Sequence, residues 1–276
     1  MLTAVKSNVS TVSHVIPTED RGIVTAVTAL YGDLFVVREK SQQVEVYDAA
    51  KFTLRHHIEV PDLGECTSGM TACARNKCLY LSSYDNDSVH RVELSSSNTA
   101  KKWAVAEGPR GLSLSIAHNL VVACRANKLQ VYTARGSLMR DICLQSGATD
   151  LWHAIQLFSG DYVVSQYTSP GVVSVVGVDG IVIHSYGQSE TSDVGQMDCP
   201  TNLAVTQNDD VLVADGGNNK ILSINTSTGR IQELALSADG GIKGPRGLCL
   251  DESQGRLYVS ELGGQHRLLV FGGVRL

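Results

Sequence analysis

The chain has 276 residues, of which 43% are hydrophobic and 18% charged, and its formal net charge is −5. This composition predicts a globular protein with a sizeable core, and the weakly acidic balance argues against a general nucleic-acid binder. No run approaches the roughly 20 apolar residues of a membrane span, and the first residues lack the apolar core of a signal peptide. We therefore expect a cytoplasmic protein with no membrane partner.

The first predicted element is residues 9–15, where polar and apolar residues alternate as in an edge strand. A short apolar strand then recurs six times, at intervals of about 41 to 49 residues. Its copies begin at Leu34, Leu79, Leu120, Tyr162, Val211 and Leu257. Turn residues precede most copies, and a polar turn and a further strand follow each one. Four short strands in each such period are typical of propeller blades.

The repeat predicts an all-β fold, a six-bladed β-propeller of four-stranded antiparallel blades that forms one domain over residues 1–276. The last unit ends after its third strand, at residues 268–271, so its outermost strand is missing. Residues 1–18 precede the first unit and are spare. We predict that they supply the missing strand and close the ring.

Residues 244–271 carry the most specific motifs: Pro-Arg-Gly at 245–247, an apolar strand ending in Asp251, and Gln-His-Arg-Leu at 265–268. The fifth unit matches through Pro200, Ala214-Asp215 and residues 218–221. These motifs resemble the NHL repeat, a family of six-bladed propellers that includes the C-terminal domains of tripartite-motif ubiquitin ligases. The resemblance is specific over about a third of the chain. WD-repeat propellers are disfavoured because neither tryptophan is followed by aspartate.

In an antiparallel meander, the turns after the second and fourth strands of every blade lie on one rim. That rim gathers arginines and aromatic residues, a combination that suits oxyanions and planar groups because guanidinium groups bind the former and stack on the latter. The predicted ligand-binding residues are Arg21, Arg38, Tyr84, Arg110, Arg125, Trp152, His153, Tyr167, Asn202, Asp215, Arg246 and Glu261. Asp215 and Glu261 also have a structural interpretation, because carboxylates after the second strand can accept backbone N–H bonds in the following turn.

The favoured interpretation is a non-catalytic scaffold that docks a peptide or protein partner on this rim and is monomeric as an isolated domain. The first alternative is single-stranded RNA binding on the same face, which the resemblance implies because some ligase-associated NHL propellers bind RNA. The second is a metal-dependent lyase or a lactonase-like hydrolase with its site at the central channel. No catalytic residue, metal ligand or cofactor is predicted, since the eight histidines are scattered and no nucleophile motif occurs.

The cysteines add one expectation. There are seven, an odd number with no CxxC pair, which argues against a disulfide framework or a zinc ribbon. Several lie within apolar runs, as buried thiols do. We therefore expect reduced cysteines in a reducing compartment.

Overall fold

The apolar runs separated by Gly, Asn and Asp become strands throughout the chain, since alternating burial and tight turns favour extended backbone. The computed structural model describes residues 10–16, 22–95, 99–145, 147–188 and 194–274. The one helical segment in these ranges is the short 3-10 turn Glu252–Gln254. None of the described residues form a helix that is long and apolar enough to cross a membrane.

The first three blades follow β1 (Ser10–Ile16). Blade 1 contains β2 (Val24–Leu30), β3 (Asp33–Arg38), β4 (Gln43–Asp48) and β5 (Leu54–Glu59). Blade 2 contains β6 (Met70–Cys73), β7 (Cys78–Ser83), β8 (Ser88–Glu93) and β9 (Ala100–Ala104). Blade 3 contains β10 (Pro109–Leu114), β11 (Leu120–Cys124), β12 (Lys128–Tyr132) and β13 (Leu138–Cys143).

The remaining three blades complete the set. Blade 4 contains β14 (Leu151–Gln156), β15 (Tyr162–Gln166), β16 (Val172–Val176) and β17 (Val182–Tyr186). Blade 5 contains β18 (Pro200–Val205), β19 (Asp210–Asp215), β20 (Lys220–Asn225) and β21 (Ile231–Glu233), and β22 (Leu236–Ser237) follows it. Blade 6 contains β23 (Pro245–Asp251), β24 (Arg256–Glu261) and β25 (Leu268–Gly272), together with β1.

The blades close into a ring. Each blade is an antiparallel meander, and its first strand contacts the first strand of the next blade. The series β2, β6, β10, β14, β18 and β23 returns from β23 to β2, so these innermost strands surround a common axis. The prediction of an all-β six-bladed propeller is confirmed.

The core lies between the blades. It consists of six apolar clusters, and each draws its buried side chains from two neighbouring blades. Phe35 of blade 1, for example, shares a cluster with Leu79 and Leu81 of blade 2. Burying one such side chain contributes about 1.5–3 kcal/mol. Both faces of every sheet are therefore covered by its neighbours.

The N-terminal strand closes the ring as predicted. β1 pairs antiparallel with β25, in register from Val12 opposite Phe271 to Ile16 opposite Leu268, with a bulge between Val12 and His14. The short strand β22 then pairs parallel with β1 through Ser10 and covers the outer edge of blade 6. Of the predicted closing segment 1–18, residues 1–9 and 17–18 lie outside the described residues.

A bulge near the start of the innermost strand recurs in five blades and turns the backbone at the axis. In three blades, a serine on the second strand accepts a hydrogen bond from a backbone N–H near the start of the inner strand. Ser82 accepts from Gly69 N at 2.8 Å, Ser165 from His153 N at 3.2 Å, and Ser260 from Gly247 N at 2.9 Å. These bonds hold the first residues of the inner strands at a fixed position on the rim.

Candidate active site on the loop face

The loop face is the rim that carries the turns after each second strand and the connections between blades. Two rings of side chains are defined on it by position. The inner ring consists of the second residue of each innermost strand. In blade 2, where β6 begins later, the equivalent residue precedes the strand. The six residues are Thr25, Ser68, Arg110, Trp152, Thr201 and Arg246. The outer ring is the residue that directly follows each second strand: Glu39, Tyr84, Arg125, Tyr167, Gly216 and Leu262.

Two arginines from different blades converge on one tryptophan. The Cζ atoms of Arg110, from blade 3, and Arg246, from blade 6, each lie 5.0 Å from the centroid of the Trp152 ring. Tyr167 packs against the same ring with a centroid separation of 4.9 Å and an interplanar angle of 37°. These contacts form an arginine–tryptophan cluster beside the axis, in which Arg246 spans the width of blade 5.

Arg246 has no counter-charge in contact with it among the residues that the structure describes. Within the described part of the chain its guanidinium makes no ion pair or hydrogen bond, and its buried Nε has no acceptor. Burial lowers the pKa of Arg246, and the nearby Arg110 guanidinium lowers it further, although Tyr167, Glu39 and Cys66 oppose this at longer range. A cation that is partly desolvated and faces a second cation is unfavourable without an anion.

Arg110 and Arg125 share one carboxylate partner. Arg110 Nη1 lies 3.1 Å from a carboxylate oxygen of Asp150, and Arg125 Nε lies 3.8 Å from the same oxygen. Arg125 Nη1 also donates to the Tyr84 hydroxyl at 2.7 Å. The Arg110 guanidinium lies 5.7 Å from the centroid of the Tyr84 ring, so Tyr84 extends the cluster on the side of blade 2.

Two cavities flank the cluster. A groove of about 1060 Å³ runs over blades 2, 3 and 4, and Tyr84, Arg125 and Asp150 line it. A smaller pocket of about 170 Å³ lies over blades 4, 5 and 6, and Trp152 and Arg246 are among its lining residues. The turn that begins at Tyr167 separates them, since Tyr167 lines the pocket and Thr168 lines the groove.

Arg38 is buried among polar partners. Its Nη2 lies 2.9 Å from Glu45, its Nε donates to the same carboxylate at 3.0 Å, and its Nη1 donates to Gly22 O at 3.1 Å. Only 3% of the Arg38 side chain is exposed. This arginine therefore braces blade 1. A charged residue at a strand end can have this structural role as readily as it can bind a ligand.

Asp215 and Glu261 hold the incoming connections. Asp215 accepts from Asp198 N at 2.8 Å, and Glu261 accepts from Lys243 N at 2.8 Å and pairs with Arg267 at 2.7 Å. Burial raises the pKa of Asp215. The backbone donors belong to the connection that leads into the carboxylate's own blade, blade 5 for Asp215 and blade 6 for Glu261. The sequence analysis expected these carboxylates to bond the turn after the second strand. That turn supplies one donor, the side-chain amide of Asn218, which donates to Asp215 at 2.8 Å.

His153 is an internal brace. Its Nδ1 accepts from Leu203 N at 3.3 Å, so its Nε2 donates to Leu112 O at 3.1 Å, and the ring joins the inner strands of blades 3 and 5. Burial lowers the pKa of His153 to about 4. Asn202 occupies the same position in the inner strand of blade 5 as His153 does in blade 4. Its buried Oδ1 has no hydrogen-bond partner among the described residues. Arg21 lies outside the described residues.

The ligand-binding role of the rim residues remains a prediction. The structure brings Tyr84, Arg110, Trp152, Tyr167 and Arg246 together, with Arg125 beside them. The sequence analysis missed Gly216, Leu262 and Cys199, which line the smaller pocket. Comparing the residue after each second strand would have isolated Gly216, the single glycine in that series.

Metal and thiol chemistry find little support in the described ranges. No three His, Cys, Asp or Glu residues there come close enough to hold a metal ion, as the predicted metal-dependent lyase or lactonase would require. Burial raises the pKa of Cys199 to about 11. Its thiol is therefore protonated near neutral pH and is not an activated nucleophile. The described cysteines are all unbridged.

No protein-family model matches the chain, and no curated protein matches its sequence. Solved structures match its fold. A streptogramin B lyase is 11% identical over 94% of this chain and 96% of its own, with a TM-score of 0.66. A hydrazine synthase of Kuenenia stuttgartiensis is 18% identical over 91% and 77%, with a TM-score of 0.66. A catalytically inactive histidine-to-alanine variant of virginiamycin B lyase from Staphylococcus aureus, with quinupristin, is 12% identical over 94% and 88%, with a TM-score of 0.65.

These comparisons correct the sequence analysis. They support the six-bladed propeller, whereas the NHL-repeat family itself is not confirmed. The prediction of a non-catalytic scaffold for a peptide or protein is contradicted, because the three solved propellers described above are enzymes. At these identities the likeness shows the fold alone. The RNA alternative is not established, and three of the four rim arginines described lie within ion-pair distance of a carboxylate, Glu45 or the shared Asp150.

Proposed function

We propose that this protein is a propeller enzyme that acts on a small organic anion bound at the arginine–tryptophan cluster. The observation that carries the proposal is Arg246: among the residues that the structure describes, its guanidinium faces the Trp152 ring without a carboxylate partner and its buried Nε lacks an acceptor. Two guanidinium groups on one aromatic ring are a ready site for a carboxylate. An anion there would supply the missing acceptor and relieve the repulsion between Arg110 and Arg246.

The same arrangement suits elimination or hydrolysis next to a carboxylate. Fixed cations stabilise negative charge that develops in a transition state, because they need no reorganisation when the charge appears. The phenol groups of Tyr84 and Tyr167 flank the cluster and are the side chains we assign to proton transfer. Support for lyase chemistry in particular comes from the fold that this chain shares with the lyases described above.

Binding tests the first half of the proposal. Titration calorimetry with acetate, malonate and phosphate should detect at least one anion at millimolar concentration. Arg246→Met should weaken that binding about 10- to 150-fold, the equivalent of a charged hydrogen bond of about 1.5–3 kcal/mol. Arg140→Met is the matched control, because Arg140 is exposed on β13 and should leave affinity unchanged. Equal binding by the wild type and Arg246→Met would overturn the proposal.

Turnover tests the second half. A panel of hydroxy acids, lactones and cyclic esters is incubated with the protein, and mass spectrometry follows loss of water or opening of the ring. We expect turnover that Arg246→Met removes and that Tyr84→Phe or Tyr167→Phe reduces 100-fold or more, the range for general acid–base catalysis. Anion binding with no turnover of any carboxylate in the panel would contradict the enzyme assignment.

A further inference from the structure

The outer ring is interrupted at one position. Five blades place a side chain directly after the second strand, and blade 5 places Gly216 there. On either side of this gap stand Tyr167 of blade 4 and Leu262 of blade 6. Gly216, Tyr167 and Leu262 all line the 170 Å³ pocket, whose lining also includes Trp152 and Arg246.

The backbone does not require glycine at this position. Gly216 is absent from the residues with positive φ, so an L-residue can adopt its conformation. A Cβ there would lie 3.2 Å from the carbonyl oxygens of Cys199 and Pro245, a contact tighter than most Cβ atoms make. The adjacent Gly217 is different, because its Cβ would lie 2.2 Å from a carboxylate oxygen of Asp198. What Gly216 provides is space.

The size and lining of the pocket point to one ring. An apolar protein cavity of about 150 Å³ holds benzene, so about 170 Å³ accepts a single six-membered ring and is too small for two fused rings. Trp152 and Tyr167 are among the residues that line it, so a planar ring there is buried against aromatic side chains. Arg246, whose guanidinium forms no ion pair with any described residue, lines the same pocket.

We infer that the ligand is a monocyclic aryl carboxylate, whose ring enters the pocket beside Gly216 while its carboxylate binds Arg246. This inference rests on the proposed function, since it uses the same anion site, and it adds the chemical class of the ligand. It makes Gly216 and Leu262 specificity-determining residues, because they set the width of the pocket without contacting the carboxylate site.

Calorimetry with a ligand series tests it. Acetate, benzoate, phenylacetate and 2-naphthoate carry the same charge and differ in the ring. We expect benzoate or phenylacetate to bind about 10- to 150-fold tighter than acetate, as burial of one aromatic side chain would give. We expect 2-naphthoate to bind no better than acetate. Naphthoate binding as tightly as phenylacetate would overturn the inference.

Variants separate the inference from the proposed function. Gly216→Ala should weaken phenylacetate binding about 10-fold and leave acetate unchanged, and Leu262→Phe should do the same from the opposite wall if Gly216→Ala does not fold. Leu138→Ala, an exposed leucine on β13, is the surface control for the pocket variants. If acetate binds through Arg246 but the ring adds nothing, the inference fails and the proposed function stands. If no carboxylate binds, both fail.

Discussion

The imidazole of His153 occupies the space that Gly111 leaves by having no side chain. A Cβ at Gly111 would lie 2.3 Å from Cδ2 of His153 and 2.5 Å from Trp152 O. The two residues belong to neighbouring blades, so the absence of a side chain on one inner strand permits the brace on the next. This pairing fixes Trp152, which precedes His153 in β14, beside the axis.

Gly111→Ala should therefore destabilise the fold by about 1–3 kcal/mol, the usual effect of overpacking. Urea denaturation measures the change. Gly216→Ala, whose Cβ meets nothing closer than 3.2 Å, is the matched control and should cost clearly less. Equal losses for the two variants would mean that His153 does not depend on the glycine.

The neutral imidazole of His153 predicts a pH-dependent stability. Its pKa is about 4 in the folded protein and about 6.5 when unfolded. As the pH falls, the unfolded chain therefore takes up the proton before the folded protein does. The free energy of unfolding decreases as the pH drops from 6.5 toward 4, by on the order of 3 kcal/mol. Denaturation at pH 7.5, 6.5, 5.5 and 4.5 measures it.

His153→Gln should flatten that slope. The remaining slope should come in part from His90, whose pKa burial also lowers. A variant that keeps the full slope would show that another group carries the titration.

The closing strand should be essential for stability. Ile16 of β1 is 1% exposed, so Ile16→Ala should cost about 2–5 kcal/mol by leaving a cavity between blades 6 and 1. Val15 precedes it on the opposite face of the same strand and is 38% exposed. Val15→Ala should change the free energy of unfolding by less than about 0.5 kcal/mol. Thermal melts of both variants test the strand, and equal effects would contradict the closure.

Arg267 ties the connection before blade 6 to the ring. It pairs with the fully buried Glu261 and donates to Asp239 O at 2.9 Å and to Gly241 O at 2.8 Å. Arg267→Met should cost about 3–5 kcal/mol, because it leaves a buried carboxylate without its counter-charge. Adding Glu261→Gln should recover part of that loss in urea denaturation. A double variant less stable than Arg267→Met would refute this account.

Replacing Arg246, unlike replacing Arg267, should not lower the stability of the free protein. Because no described residue places a counter-charge in contact with it, Arg246→Met should leave the free protein as stable or stabilise it by up to about 1 kcal/mol while anion binding is lost. Arg38→Met is the contrast, since it removes the counter-charge from buried Glu45 and should cost about 3–5 kcal/mol. Urea denaturation without ligand compares them. A large loss for Arg246→Met would indicate a structural role.

The amino-acid sequence by itself determined the blades, their number and the strand that completes the ring. Apolar strands at a regular period cannot bury both faces alone, so repetition dictates a closed stack. It also brought Arg110, Trp152 and Arg246 onto one rim, because strand order assigns every turn to a side.

Which of those rim residues are free was decided only by the tertiary structure. Both Arg38 and Arg246 are predicted from the sequence as rim arginines, but Glu45 lies beside the first, whereas no acidic side chain in the described ranges touches the second. That difference depends on side chains from strands and blades distant in the chain. The pocket beside Gly216 likewise exists only in the folded chain, because its lining also includes Trp152 of blade 4 and Leu262 of blade 6. Charge compensation and cavity shape are properties of packed neighbours, and periodicity carries no information about them.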